Sequence, residues 1–336
     1  MTVILVTGAT GILGRVLVLK LLKKGKTVRA TKRNSSDLEE VRRSLQYYTA
    51  DADLFFNKIQ WIDANLNDKR ALQKALEDVV EVYHCAAKVS YDPAEQKKVD
   101  KINIQGTKNI IECCKYSQVK KFLYVSSAVI FDNGKKGRPI DENSSFIIQT
   151  ESTVYAASKY KADTVVCNAF NQGLNTIIIN PGMIIGSGNW KKSSGEFLQT
   201  FINKFYTFSG GSGCVDVRDV AEIAIELMDK NLFGERFLVV SENQKYSNLA
   251  QMAREKFHKK RPVILSRKLL NFGKALNILT VGQIPKLRLL TKPNIEFLTS
   301  FQKMSNDKVV KALDYKFIPV KESLFFHIDN FLKEKK

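Results

Sequence analysis

Two tyrosine–lysine pairs at a spacing of four, Tyr155/Lys159 and Tyr116/Lys120, are the residues of this 336-residue chain with the clearest chemical use. On a helix, residues four apart stack on one face. An ammonium group there would pull a phenol from its usual pKa of about 10 toward neutrality, so that it could pass a proton to or from an oxygen. Hydride transfer to a carbonyl needs such a proton, because it leaves negative charge on the oxygen. A serine hydroxyl at a neighbouring strand end, Ser126 or Ser127, would donate to the same atom. Tyr116/Lys120 falls just before the apolar run 122–125, at that strand's amino end, and reads as solvated surface. Tyr155/Lys159 opens a helical stretch beyond the Ser126-Ser127 strand end, and is the pair assigned to chemistry.

The elements around these residues must bring a hydride donor to them. Thr7-Gly8-Ala9-Thr10-Gly11-Ile12-Leu13-Gly14 sits between a first apolar run and a first helical pattern. Gly8 can turn the chain, Gly11 lets backbone N–H groups approach a pyrophosphate, and Gly14 lets the helix pack tightly on the strand. The helix N-terminus then presents unsatisfied donors to a dianion. Strand patterns at 3–6, 27–30, 59–62, 81–84, 122–125 and 176–179 alternate with helical stretches beginning near 12, 68, 94 and 152. That alternation predicts an α/β fold: a Rossmann-type, doubly wound parallel sheet with ligands at the carboxyl ends of its strands. The strands read as continuous apolar runs, as burial on both faces requires.

After residue 181 the rhythm changes. Glycine- and serine-rich stretches at 186–195 and 209–213 flank a helix near 196–206; a helix near 220–228 and a strand near 236–240 return to the sheet, and the tail from 246 is mainly helical. The expected organisation is a dinucleotide-binding domain over 1–185 plus 216–245, and a smaller, mostly helical substrate domain over 186–215 plus 246–336. The stretch 269–290 mixes leucines and Phe272 with Lys274, Lys286 and Arg288. It reads as a helical cap on the pocket or core, with weak peripheral contact to anionic lipid as the sharper alternative.

Composition narrows the classes. No run approaches the ~20 apolar residues of a membrane-spanning helix. The first strand follows the initiator directly, without a charged leader, so the expected location is the cytoplasm. Five cysteines without a CxxC pair fit reduced thiols, and the three scattered histidines give no ligand spacing, so no metal site is expected. The net charge of +19 reads first as a basic surface. Attraction for an anionic cofactor, a membrane or nucleic acid is the alternative, although the aromatic-basic interleaving of RNA surfaces is missing.

The GxxGxxG spacing of residues 8–14 resembles the fingerprint of extended short-chain dehydrogenases/reductases. The resemblance runs on through His84-Cys85-Ala86-Ala87, Asn103-Ile104-Gln105-Gly106-Thr107, Val125-Ser126-Ser127, Tyr155-Ala156-Ala157-Ser158-Lys159 and Asp216-Val217-Arg218-Asp219-Val220. Within that superfamily the chain looks most like the dihydroflavonol 4-reductase-like and 3β-hydroxysteroid dehydrogenase-like branch, including members labelled NAD-dependent epimerase/dehydratase. The resemblance implies Ser127, Tyr155 and Lys159 as catalytic residues, with Asn103 supporting the lysine or a proton-relay water. It places Cys85, Ala86, Ala87 and Lys88, and Pro181, Gly182, Met183 and Ile184 after Asn180, along the cofactor. It implies a homodimer paired through the helices that carry the Tyr-Lys motif.

The choice of dinucleotide turns on the end of the second strand. No acid stands there before Asp37, whereas Lys32 and Arg33 would attract a 2′-phosphate, so NADP(H) is the predicted cofactor. Asn65-Leu66 occupies the position of the superfamily's adenine-contacting Asp-Leu, with Asp63 as the rival contact. The expected function is an NADPH-dependent reductase/dehydrogenase acting on a small ketone or aldehyde and the matching alcohol. A nucleotide-sugar epimerase with tightly bound NAD is the first alternative; an NADP-sensing or nucleic-acid-binding regulator on the same fold is the second. Residues 128–130, Ala-Val-Ile, lack the acid that the dehydratases place beside the catalytic hydroxyl. Trp190, Lys191, Lys192 and Phe197 are candidates for the substrate pocket by position alone.

Overall fold

The computed structural model describes residues 2–132, 138–148, 151–188, 190, 193–279 and 284–334, with the side chains of 193–195, 197, 285 and 286 outside that description. Six strands come first: β1 Val3–Thr7, β2 Thr27–Lys32, β3 Gln60–Asp63, β4 Val79–His84, β5 Lys121–Val125 and β6 Asn175–Pro181. Then come β7 Met183–Ile185, β8 Tyr206–Phe208, β9 Gly211–Asp216, β10 Arg236–Val239, β11 Glu242–Lys245 and β12 Val263–Leu265. Seven of these form one parallel sheet in the order β10-β6-β5-β4-β1-β2-β3. The order reverses at β1, which pairs with both β2 and β4. A crevice opens there beyond the strands' carboxyl ends.

The helices of the first half are α1 Ile12–Lys23, α2 Leu38–Leu45, α3 Ala52–Asn57, α4 Lys69–Ala75, α5 Gln96–Asp100 and α6 Gly106–Cys114. Next are α7 Val154–Asn171, α8 Ser193–Asn203, α9 Val217–Asp229 and α10 Tyr246–Glu255. The last five are α11 Arg267–Leu279, α12 Pro285–Arg288, α13 Lys292–Thr299, α14 Asp307–Leu313 and α15 Val320–Glu334. α1 and α9 close one face of the sheet through Val16, Leu17, Val220 and Ile223; α4, α6 and α7 close the other through Leu72, Ile110, Ala162 and Val166. All five residues of β1 are therefore buried, as its unbroken apolar run implies. A third apolar cluster joins α8, α10 and α15.

Three features depart from the sequence expectation. The segment between β2 and β3 holds two short helices, α2 and α3, which no apolar period announced. The glycine- and serine-rich stretch 209–213 enters β9, where a Cβ on Gly210 would lie 2.5 Å from the Ser300 carbonyl oxygen and one on Gly211 2.5 Å from that of Gln244. Those glycines mark a close approach of two backbones rather than a turn. Between α5 and α6 the chain makes a π-helical turn, Lys101–Gln105, which carries Asn103.

β7, β9 and β11 form a second sheet, and a fully buried polar clamp lies at the end of β9. His327 bridges the Ser187 hydroxyl at 2.6 Å and an Asp216 carboxylate oxygen at 3.2 Å, while Asn330 donates to Ser187 at 2.9 Å. The order serine–histidine–aspartate is that of a hydrolase triad, but Ser187, His327 and Asp216 are all sealed from solvent. The clamp fastens α15 to the N-terminus of α9, which Asp216 caps.

Candidate active site

The glycine loop follows directly from the sequence around it. Gly8 adopts φ +69°, and a Cβ there would meet the Ala86 nitrogen at 2.6 Å; a Cβ on Gly14 would lie 2.2 Å from the Gly8 carbonyl oxygen. Any side chain at either position would push the loop off the sheet. Gly11 is the N-cap of α1 and supplies no side-chain cap, so the first N–H groups of the helix are left to the cleft that Gly8, Gly11, Ile12, Leu13 and Gly14 line. Arg15, a residue the sequence reading passed over, holds this arrangement from below. Its buried guanidinium donates to the Thr10 carbonyl at 2.5 Å and the Gly11 carbonyl at 3.3 Å, and pairs with both Glu40 oxygens at 2.7 and 2.8 Å. With its carbonyls drawn inward, the loop offers its N–H side to an anion.

One groove runs from this loop in both directions. Toward β2 and β3 it is lined by Thr10, Lys32, Arg33, Asn65 and Leu66, and along β4 by Cys85, Ala86, Ala87 and Lys88. Lys32 does not stand free there: its ammonium lies 2.7 Å from both oxygens of Asp63. That pair engages one of the two cations expected for a 2′-phosphate. Arg33 is exposed in the groove wall and carries no ion pair among the described residues. Asn65 spends its carbonyl oxygen on the Asn67 backbone N–H at 3.0 Å, which leaves its NH2 group as the donor toward the groove.

At the other end the groove reaches Ser127, Tyr155 and Lys159, with Pro181, Gly182, Met183 and Ile184 along its floor. Ser127 caps the short turn that follows β5, and Thr153 caps α7 so that Tyr155 enters on its first turn. Lys159 follows one turn later and is 1% exposed. Its ammonium donates to the Val125 carbonyl at 2.6 Å and lies 4.2 Å from the centre of the Tyr124 ring. Burial pulls the Lys159 pKa down to about 8, opposed by Asp163 and Cys85.

The expected acidification of Tyr155 is not found. Burial pushes its phenol up to about 12, which the neighbouring Ser127 hydroxyl opposes only in part. The lysine beside it turns toward Val125, donating to that carbonyl over the Tyr124 ring.

Behind the three groups lies a polar chain that the sequence reading missed. Arg236, on the edge strand β10, pairs with the buried Asp163 and donates to the Asn180 side chain at 3.0 Å; Asn180 in turn donates to the Ser127 carbonyl. Asn103 does not touch Lys159. Its side chain grips the Lys88 backbone at 2.8 and 3.0 Å and donates to Ser158 at 2.8 Å, tying the β4 end of the groove to α7. The π-helical turn places it there. Tyr116 is 85% exposed beyond α6, at the amino end of β5, as the sequence reading expected of the second Tyr–Lys pair.

The model of the NAD dependent epimerase/dehydratase family matches residues 4–240. The chain belongs to this family, the enzymes of the extended short-chain dehydrogenase/reductase type. Sterol demethylase protein B of Methylococcus capsulatus is 29% identical over 254 residues, covering 75% of this chain and 73% of the relative. A putative dihydroflavonol 4-reductase of Synechocystis is 29% identical over 219 residues, covering 64% of this chain and 60% of its own length. Among solved structures, UDP-glucuronic acid 4-epimerase from Bacillus cereus, in complex with UDP-glucuronic acid and NAD, has a TM-score of 0.76 at 16% identity. That match covers 99% of this chain and 100% of the other.

The far end of the groove is aromatic. Tyr91 stacks on Phe297 with ring centres 5.2 Å apart and meets Tyr155 edge-on at 6.1 Å; Tyr246 lies 6.4 Å beyond Phe297. These rings come from the loop after β4, from α13 and from α10, so no local spacing could have grouped them. Of the positional candidates for this pocket, Trp190 packs instead against Tyr47 and Phe331 in the third apolar cluster. Lys191 and Lys192 lie outside the described residues, as does the side chain of Phe197.

Proposed function

We propose that this family member is an NADP(H)-dependent oxidoreductase that interconverts a ketone or aldehyde and an alcohol. The observation that carries the reading is the convergence of Ser127, Tyr155 and Lys159 on the one groove that the Gly8–Gly14 loop frames. Reductases among the relatives, including the putative dihydroflavonol 4-reductase, support it.

The residues present fit a dinucleotide. The loop closes to any Cβ at Gly8 and Gly14, and uncapped N–H groups at the start of α1 suit a pyrophosphate. Arg33, beside a strand end without a free acid, suits a 2′-phosphate. Bound in this groove, the reduced nicotinamide would supply a hydride to the carbonyl carbon. Tyr155, which keeps its proton up to about pH 12, gives that proton to the oxygen, so that the carbonyl becomes an alcohol. Ser127 donates to the same oxygen and steadies its growing charge. Lys159 holds the carboxyl end of β5 through Val125 and supplies positive charge beneath the reacting atoms.

The substrate end, walled by Tyr91, Tyr246, Phe297 and Met183, suits an uncharged, apolar carbonyl compound. A nucleotide-sugar diphosphate would seek cations there, and Lys159 is the one cation among the described residues that line it. Incubation with NADPH and a panel of aryl and alicyclic ketones and aldehydes tests the reading. The expected result is one NADPH consumed for each alcohol formed. Epimerisation of a nucleotide sugar without net consumption of the dinucleotide would overturn it.

A further inference from the structure

Residues 256–292 contain ten lysines and arginines and no aspartate or glutamate, in a chain whose net charge is +19. Apolar side chains stand at the surface in the same stretch. In α11, Leu269 is 53% exposed, Phe272 62% and Leu279 77%; in β12, Val263 and Ile264 are 59% and 51% exposed. Leu269, Phe272 and Leu279 fall on one side of the helix, with the exposed Lys268 among them. A different side of the helix packs, where Leu270 is buried and, next to Leu269, a Cβ on Gly273 would lie 2.6 Å from Leu290; Ile278, 69% exposed, is also at the surface. The apolar stripe therefore does not face the core. Phe205, 70% exposed, stands beside β12, whose Val263 N–H donates to the Phe205 carbonyl at 2.8 Å.

From this combination we propose that the face formed by α11, β12 and Phe205 docks on the surface of an anionic lipid bilayer. A helix with apolar side chains between basic ones sinks into the headgroup boundary while its cations meet anionic lipid. A nucleic acid would reward the charge and not the exposed leucines and phenylalanines. A second copy of the chain would bring two strongly basic faces together. Among the described residues no helix is long and apolar enough to cross a membrane, so the contact is a surface one. α11 is also tied to the helix that walls the cleft. Arg267 on α11 pairs with Glu296 on α13, and the next residue, Phe297, lines the aromatic end of the groove. Docking brings that end close to the lipid, whatever reaction the groove performs.

Co-sedimentation of the full chain with vesicles tests the proposal. With phosphatidylcholine vesicles containing phosphatidylserine the protein pellets at low salt; with phosphatidylcholine alone it stays in the supernatant, and salt near ~0.5 M releases it. Phe272→Asp with Leu279→Asp removes the binding. Arg261→Glu with Lys268→Glu, both at exposed positions, weakens it at least about tenfold, since each cation near such a surface contributes a factor of about five. Thermal melts of each variant report folding, and the charge pair keeps the test decisive if the apolar pair does not fold. Failure to pellet with anionic vesicles at low salt overturns the proposal, as does pelleting that both variant pairs leave unchanged. A dimer that light scattering shows to be dissolved by Phe272→Asp assigns the face to a second copy and overturns it too.

Discussion

The side chain of Asn180 donates a 3.1 Å hydrogen bond to the backbone carbonyl of Ser127. Through that bond a residue of β6 fixes the strand end that presents the serine hydroxyl to the groove. Asn180 is itself held by Arg236, whose guanidinium also pairs with Asp163 one turn beyond Lys159. An edge strand thereby governs both sides of the site, although Arg236 lines neither end of the groove.

Arg236→Met tests this coupling. It leaves Asp163, 2% exposed, buried without its partner, a loss that costs about 3–5 kcal/mol. The expected result is a lower denaturant midpoint with an unchanged slope, together with a fall in kcat. Adding Asp163→Leu should restore most of the stability without restoring kcat, because the bond to Asn180 stays lost. A single variant with unaltered midpoint would show that the chain is ornamental.

Arg33→Ala tests the cofactor assignment. Losing a charge-assisted hydrogen bond of about 1.5–3 kcal/mol should raise the KM for NADPH by about 10- to 100-fold and leave that for NADH nearly unchanged. Lys32→Ala should do less, since Lys32 is already paired with Asp63. Steady-state kinetics with both dinucleotides read the difference; equal effects of the two variants would contradict the assignment.

The pH dependence follows from Lys159. Burial lowers its pKa to about 8, while Tyr155 is held at about 12 and stays protonated. A lowered lysine pKa means that the ammonium is lost as pH rises through about 8. NADPH-driven reduction, measured as kcat/KM, is therefore expected to be level below that value and to fall above it. Activity that climbs through the same range would place the controlling group elsewhere.

Gly14→Ala probes the loop itself. With its Cβ 2.2 Å from the Gly8 carbonyl oxygen, the variant must move either α1 or the loop. Overpacking of this kind costs about 1–3 kcal/mol, and the expected companion is a loss of NADPH binding in calorimetry. Normal binding at normal stability would mean that the close packing has no part in holding the dinucleotide.

Much of the architecture was legible in the sequence because its signals are local. The unbroken apolar run of β1 and the glycines of 8–14 specify a strand, a loop and a helix start within a few residues. Tyr155 and Lys159 are likewise related by a single helical turn, and their separation from Tyr116/Lys120 required only strand polarity. What stayed hidden was non-local. Arg15 looks like any helix residue until Glu40 is placed against it, and the wall of Tyr91, Tyr246 and Phe297 is assembled from three remote segments. Trp190 misled because position near a pocket does not determine which way a side chain packs. The acidity of Tyr155 misled for a related reason: spacing sets which residues are neighbours, whereas the burial that raises the phenol's pKa comes from the fold.

Hydride transfer with Tyr155 as the proton donor is tested by following the hydrogen. NADPH carrying deuterium at the transferable position of the nicotinamide is supplied with the carbonyl panel, and the alcohol is analysed by mass spectrometry. One deuterium is expected on the carbinol carbon, with one NADP formed per alcohol and turnover reduced by about 10²- to 10⁴-fold in Tyr155→Phe with NADPH binding intact. Product without deuterium, or undiminished turnover by Tyr155→Phe, would contradict it.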